Sequence, residues 1–388
     1  MIKKTNYVHM KQTCKSTYTQ GNEKEMACQA HHDSAFCIKQ IILFIFAIYF
    51  ISCSQKGKDN LIVTEKAKTV SSKLYNAEIM AKYVDKFEVI DSAFYLFCAG
   101  LDTEAIVLNE ENGEMIGSFG IRGNGPGEFM NHIYAGRSQE GDTIYTYDLN
   151  RYSINVYLIN KTSQHFAYSF IDKKELPSKD WVFNKLLRLK NGMYVGLPFF
   201  SSTSDNTLVL FDEELNFITD FAKSPITFKE SNDFRVCYDN AYLCTYENKV
   251  FLATSSFVYI SGYEISGNGE IAILFEKQLV ESVYHYNPGV KFSKEENLSG
   301  FSDIKATKDY IFTLFCGKPE SMLKWDGSGM EPESFVIFNH KGEYKAKYKT
   351  NNKGGRICFS EDEKKLYHSV NVPEYDIEEY QISDMEEW

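Results

Sequence analysis

One cadence runs six times through this 388-residue chain: a short β-branched and aromatic run, a turn, a second run, an acidic or Asn-Gly turn, and a third run. The clearest copies are Phe94–Gly120, Thr143–Phe170, Met193–Phe221, Lys249–Phe275, Tyr310–Lys349 and Lys365–Ile382. A repeat of roughly 40–50 residues built from strands alone predicts a propeller, because one four-stranded unit cannot bury both of its faces by itself. The expected fold is all-β, a six-bladed β-propeller of four-stranded antiparallel blades. Tyr and Phe, at 26 and 29 residues, supply the flat, bulky packing such strands need.

Inner runs such as Thr143–Asp148 alternate with period two, and Thr207–Asp212 and Ser334–Asn339 each end in a polar turn residue. The turns Glu111-Asn112-Gly113, Glu213–Asn216 and His340–Glu343 are therefore expected to join third to fourth strands, with Asn and Gly supplying positive φ. The last copy ends within a few residues of Trp388, so its outermost strand must come from elsewhere. An N-terminal run, Tyr75–Met80 or Lys86–Ile90, is the natural donor, and pairing N-terminal with C-terminal strands removes two exposed edges. Two insertions, Ala222–Asn240 and Lys277–Ser299, fall between one blade's outer strand and the next blade's inner strand.

Residues 1–53 stand apart. Ile41–Ile51 is an unbroken apolar run, too short to span a bilayer, which takes roughly 20 such residues, but suited to the core of a secretory signal. Phe50-Ile51-Ser52-Cys53 resembles a bacterial lipobox, which makes Cys53 the acylated first residue of the mature protein; a signal cut elsewhere, or a hydrophobic element of the fold, is the alternative. Met26 is a plausible true start. Residues 54–72 read as a flexible tether, and 73–388 as the propeller domain with no second domain.

Residues 1–53 hold six Lys against three acidic groups, +3, so the overall charge of −11 leaves −14 on the remainder. Such a surface repels nucleic-acid phosphates and anionic headgroups, so no nucleic acid is expected as partner and the membrane is reached through the lipid anchor only. Five Cys follow residue 53, without CxxC spacing. No metal and no cofactor is expected from them or from the scattered His, while a Cys237–Cys244 bridge stays open.

Between the first two copies lies Phe119-Gly120-Ile121-Arg122-Gly123-Asn124-Gly125-Pro126-Gly127-Glu128-Phe129. The chain must travel inward here to start the next blade, and the glycines permit conformations closed to other residues while Phe129 plugs between blades. With no Lys-Ser/Thr and no helix following, a phosphate loop is not indicated. This FGxxGxGPGEF string resembles the six-bladed propeller lipoproteins of the Bacteroidetes described as TolB-like or NHL-like. The resemblance implies a lipid-anchored protein of the cell envelope. Because Ser54–Lys58 lacks acidic residues, it implies an outer-membrane anchor facing the periplasm.

No catalytic residue is recognisable. The polar groups the glycine loop could present are Arg122, Asn124, Glu128 and His132, with loop-capping bonds as the plainer reading. The insertions offer Arg235, Tyr238, Asp239 and His285, which suit either a binding face or a loop packing its own aromatics. Expected inner strands carry Arg137, Arg188 and Lys305, basic more than acidic, and so better for an anionic ligand than for Ca²⁺. The resulting expectation is a binding or scaffold module for an envelope protein, peptide or glycan, through the loop face or the central funnel. The alternative is a channel-centred hydrolase or lyase of the lactonase or streptogramin-lyase type.

Overall fold

Six antiparallel sheets follow one another around a central axis in the computed structural model, which describes residues 61–388 except 78, 80–83, 99–101, 139, 163–164, 179–180, 200–204, 231, 323–330, 372–374 and 386–388. Cys53 and residues 1–60 lie outside the described residues. A short helix α1 (Leu61–Thr64) and strand β1 (Lys73–Leu74) precede the first blade. Blade 1 is β2 (Val84–Ile90), β3 (Ala93–Cys98), β4 (Ala105–Asn109) and β5 (Met115–Phe119). Blade 2 is β6 (His132–Arg137), β7 (Thr143–Asp148), β8 (Ser153–Thr162) and β9 (His165–Glu175); blade 3 is β10 (Phe183–Arg188), β11 (Tyr194–Pro198), β12 (Asn206–Phe211) and β13 (Phe217–Lys223). Helix α2 (Asp233–Tyr238) leads to blade 4, made of β14 (Tyr242–Tyr246), β15 (Lys249–Ala253), β16 (Tyr259–Ile265) and β17 (Ile271–Gln278). A hairpin, β18 (Tyr284–Tyr286) and β19 (Val290–Phe292), precedes blade 5: β20 (Phe301–Ala306), β21 (Tyr310–Phe315), β22 (Ser334–Asn339) and β23 (Tyr344–Lys349). Blade 6 has β24 (Ile357–Phe359), β25 (Lys365–Asn371) and β26 (Tyr375–Gln381), and takes β1 as its fourth strand.

The six hydrophobic clusters each straddle two neighbouring blades. The seam between blades 6 and 1 joins Cys358, Tyr367 and Ile377 to Phe87, Phe94 and Leu96. Closure follows from this burial: a buried Phe or Leu side chain is worth about 1.5–3 kcal/mol, whereas each strand hydrogen bond nets only about 1 kcal/mol. The apolar seam therefore supplies most of the energy, and the β1–β26 pairing sets the register.

The donor strand differs from both expected candidates. Lys73 and Leu74 pair with Glu379 and Glu378, the Tyr75 N–H donates to Ile377 O, and Ile79 bridges to Tyr375. Of the expected run Tyr75–Met80, Tyr75 and Ile79 carry the pairing with blade 6 onward from the strand, while Lys86–Ile90 lies in the innermost strand of blade 1. The cadence as read began at each blade's second strand, so an inner strand had to precede Phe94.

Residues 61–72, the described part of the expected tether, lie along blade 5. Ile62 and Val70 are buried, and Lys68 exchanges backbone hydrogen bonds with Lys347 and Lys349 along the outer edge of blade 5. These two apolar side chains in a polar stretch give the segment its reason to dock.

Middle strands read as continuous apolar runs, as in Ala93–Cys98, because both faces are covered. Two threonines within them are buried and bonded: the Thr207 and Thr313 hydroxyls donate to Ala222 O and Val336 O. The three expected hairpins join third to fourth strands, capped by Asn109, Asp212 and Asn339. In blade 3 the positive φ falls on buried Leu215 (φ 65°) rather than on Asn216.

Candidate functional site

All six inner strands send side chains into one axial funnel of about 360 Å³, at the mouth where those strands end. Alternation along β2 decides which ones: Lys86 and Glu88 face the axis, while Phe87 goes into the seam with blade 6. The inner strands β2, β6, β10 and β20 each carry a bulge, which re-aims the side chains that follow it.

At the inner end of the funnel Lys86 and Lys305 share one carboxylate, Glu88; Lys86 Nζ stands 3.6 Å from Glu88 Oε1 and Lys305 donates to the same oxygen. Their side chains are only 15%, 10% and 18% exposed. Burial raises the Glu88 carboxyl, but the two ammoniums outweigh it and hold it below its usual range. Burial, then the neighbouring Lys305, pulls the Lys86 ammonium below its ordinary value. Burial acts the same way on Lys305, yet Glu88 and Asp303 bring it above. Nearer the rim, Arg137 pairs with Glu361 at 3.0 Å and Lys190 with Glu247 at 2.5 Å. Arg188 lies over the Tyr145 ring at 4.6 Å and hydrogen-bonds the Tyr194 side chain.

Arg356 reaches across the opposite mouth, where a smaller cavity of about 270 Å³ is lined by Asp85, Asn131 and Lys185. The guanidinium of Arg356 donates to Asp85 O at 2.7 Å and Ser302 O at 2.7 Å and covers the Tyr242 ring, so blade 6 reaches blades 1, 5 and 4. Lys185 adds an ion pair to Asp85 at 3.6 Å, and burial of that carboxyl is outweighed by Lys185 and Arg356, which lower it.

Beside this mouth sits the glycine loop, and its polar residues serve the loop itself. The Gly125 N–H donates to the Glu128 carboxylate at 2.6 Å, and Arg151 clasps Glu128 O at 2.7 Å and Gly123 O at 2.9 Å. Gly127 needs its positive φ of 72°, and a Cβ there would stand 2.6 Å from Phe170. Gly123 is wanted for space, since a Cβ would strike the Glu128 carboxylate. Phe129 is buried against the His132 ring at 4.8 Å, the plug expected of it. Arg122 and Asn124 are exposed on the loop. His132, by contrast, is sealed between Glu104 at 2.7 Å and Asp148 at 3.5 Å. Burial opposes its charge, but those carboxylates outweigh burial and raise its pKa.

The two insertions pack on each other as a satellite beside blades 3 and 4. Asp233 accepts backbone N–H bonds from Lys229, Glu230 and Val290, and Tyr286 donates its hydroxyl to Thr227 O. Tyr238 is 1% exposed, stacked on Phe234 and bonded to Ser224, so it presents nothing to a partner. Arg235 and Asp239 pair at 3.4 Å on the surface, and His285 is exposed on β18 beside a cleft of about 1220 Å³ between the insertions. Cys237 and Cys244 are both free, so no bridge joins them: Cys237 packs in the satellite with blades 3 and 4, and Cys244 in the next seam.

The structure thus brings Arg137, Arg188 and Lys305 together in the funnel, and leaves the other sequence candidates outside it. Sequence reasoning missed Lys86 and Glu88 as site residues. Their signal was the alternation Lys86-Phe87-Glu88-Val89 just ahead of the first copy of the cadence. Among the described residues no three His, Cys, Asp or Glu side chains converge to hold a metal, and no helix is long and apolar enough to cross a membrane.

Solved structures similar to this chain include the following three. A Bacteroides fragilis protein described as exported is 13% identical, with a TM-score of 0.53 over 82% of this chain and 96% of its own. A DUF4221-family member from Bacteroides vulgatus is 12% identical, with a TM-score of 0.47 over 82% and 94%. A gluconolactonase from Xanthomonas campestris is 8% identical, with a TM-score of 0.47 over 82% and 96%. At such identities the likeness is one of fold alone. No curated protein matches the sequence. The family model described as TolB-like 6-blade propeller-like matches residues 110–362, and the chain belongs to that TolB-like family of six-bladed propellers.

Proposed function

We propose that this protein is an exported binding module of the cell envelope that takes its ligand into the axial funnel. The observation that carries the reading is the cavity lined by all six inner strands, open at one mouth and floored by buried charge. Its volume of about 360 Å³ is that of a small-ligand site, so it accepts a small molecule or the end group of a peptide or glycan. The loop face fits the role less well, because Tyr238 and Phe234 are spent on packing. Export is supported by the apolar run Ile41–Ile51, and anchoring by Cys53 behind it.

The test uses the full chain purified from its native envelope, with species released on denaturation identified by mass spectrometry. Wild type should retain a small molecule or fragment that Ala306→Phe, which narrows the funnel, fails to retain. Equal retention by the folded Ala306→Phe variant would overturn the reading.

A further inference from the structure

We infer that the funnel takes a neutral, hydroxyl-rich ligand, a pyranose sugar or the sugar end of a glycan, gripped at the rim by the Arg137–Glu361 pair. The inference rests on the reading of the funnel as the binding site and names the class of molecule that fits it.

The first ground is charge balance. Five cationic residues line the cavity against four acidic ones, and the buried Asp303 carboxylate, which acts on both floor lysines, makes the fifth. Lys86 and Lys305 share Glu88, Arg137 faces Glu361, and Lys190 faces Glu247. Arg188 rests on Tyr145 and bonds Tyr194, while the Tyr246 hydroxyl bonds Glu363. The basic residues that read from the sequence as suited to an anion are therefore already answered. An ion entering this cavity would have to part an existing pair and leave a desolvated charge behind, which an uncharged guest avoids.

The second ground is the hydrogen-bonding edges left at the rim. Arg137 uses one nitrogen, Nη1, for both of its bonds, to Glu361 Oε1 at 3.0 Å and to Val89 O at 3.5 Å. Glu361 likewise uses one oxygen, Oε1, which also accepts the Asp91 N–H at 3.0 Å. The other guanidinium nitrogens and the second carboxylate oxygen make no bond among the described residues, and the two side chains are 40% and 43% exposed. A hydroxyl matches such a pair, because it accepts from the guanidinium and donates to the carboxylate at once. An amide nitrogen only donates, and its carbonyl only accepts. A sugar ring carries hydroxyls on adjacent carbons together with an apolar C–H face, for which the half-buried Tyr246 and Phe359 rings supply a wall.

The test is calorimetric titration of the full chain with the neutral methyl pyranosides of glucose, galactose, mannose and N-acetylglucosamine, and with charged glucuronate and glucosamine. Wild type is compared with Glu361→Gln and Arg137→Met, and circular dichroism checks that each variant is folded. At least one neutral pyranoside should bind wild type, with an affinity that added NaCl leaves unchanged, since no charge of the ligand is there to be screened. Glucuronate and glucosamine should bind more weakly than their neutral counterparts. Loss of one hydrogen bond to a charged group should weaken pyranoside binding about tenfold in each variant. Binding of none of the neutral pyranosides, equal or tighter binding of the charged ones, or unchanged affinity in either folded variant would overturn the sugar site. If it fell while wild type still retained a species that Ala306→Phe loses, the binding module would stand with another class of ligand. Retention by Ala306→Phe would remove both.

Discussion

His132 Nδ1, on the inner strand of blade 2, lies 2.7 Å from Glu104 Oε2 of blade 1, and neither side chain is more than 4% exposed. A histidine held between Glu104 and Asp148 has its proton affinity raised when the chain folds. Its contribution is therefore complete below the ordinary imidazole value of 6.5 and is lost as pH rises through the higher folded value. His132→Gln should lower the melting temperature most near pH 6, with the gap to wild type narrowing toward alkaline pH. A gap independent of pH would mean that the ring acts by packing alone. His132→Ala, which leaves the buried Glu104 carboxylate without its ion partner, should cost about 3–5 kcal/mol.

Closure of the ring can be loosened at Asp376, whose carboxylate accepts the Asn76 N–H at 3.0 Å and the Ala77 N–H at 2.9 Å. Asp376→Ala should cost about 2 kcal/mol in urea unfolding, as hydrogen bonds to a charged group are lost. Hydrogen exchange should quicken first at the Tyr75 and Ile79 amides, which face blade 6. Uniform loss of protection around the ring would show that the strap has no local role.

Within the satellite the two residues that read as a binding pair should behave differently. Tyr238→Ala empties a fully buried aromatic site and should cost about 3–5 kcal/mol. Arg235→Ala removes a surface ion pair and should change stability by no more than about 0.5 kcal/mol. Chemical denaturation of both variants decides it.

Thiol chemistry should be silent in the folded protein. Burial pushes the Cys98, Cys237 and Cys244 thiols up to about 12, and raises Cys358 and Cys316 as well. At pH 8 iodoacetamide should modify these five slowly in native buffer, with half-buried Cys316 first, and all of them at once in denaturant. Rapid native labelling of Cys244 would contradict its place in the seam.

The proposed anchor is tested at Cys53. Cys53→Ala should release the protein from the membrane pellet to the soluble fraction and abolish palmitate incorporation. Retention in the pellet would point to another means of attachment.

Blade count, strand order and hairpin placement were legible because they follow from local patterns: apolar runs of strand length, with Asn109, Asp212 and Asn339 marking the same turn each time. The strap at Lys73–Leu74 was harder to see, since a two-residue strand carries no periodicity of its own and is fixed by its partner Glu378–Glu379. The docking of Ile62 and Val70 depends likewise on an edge some 280 residues away in sequence, formed by Lys347 and Tyr348. Arg137 and Arg188 could be read as axial from their strands. That Lys86 and Lys305 share Glu88 could not, because the cluster joins residues of blades 1 and 5 at the axis. Tyr238 misled for a related reason: aromatics in a long loop look the same whether they await a partner or fill a small core.

A sheet that borrows its rim from residues made three hundred positions earlier gives the molecule a test of its own integrity. An abbreviated product missing Tyr375–Gln381 would leave Lys73–Leu74 without a mate and the greasy flank of the first vane bare. Fragments should thus be sticky and short-lived, while the finished circle keeps that flank covered.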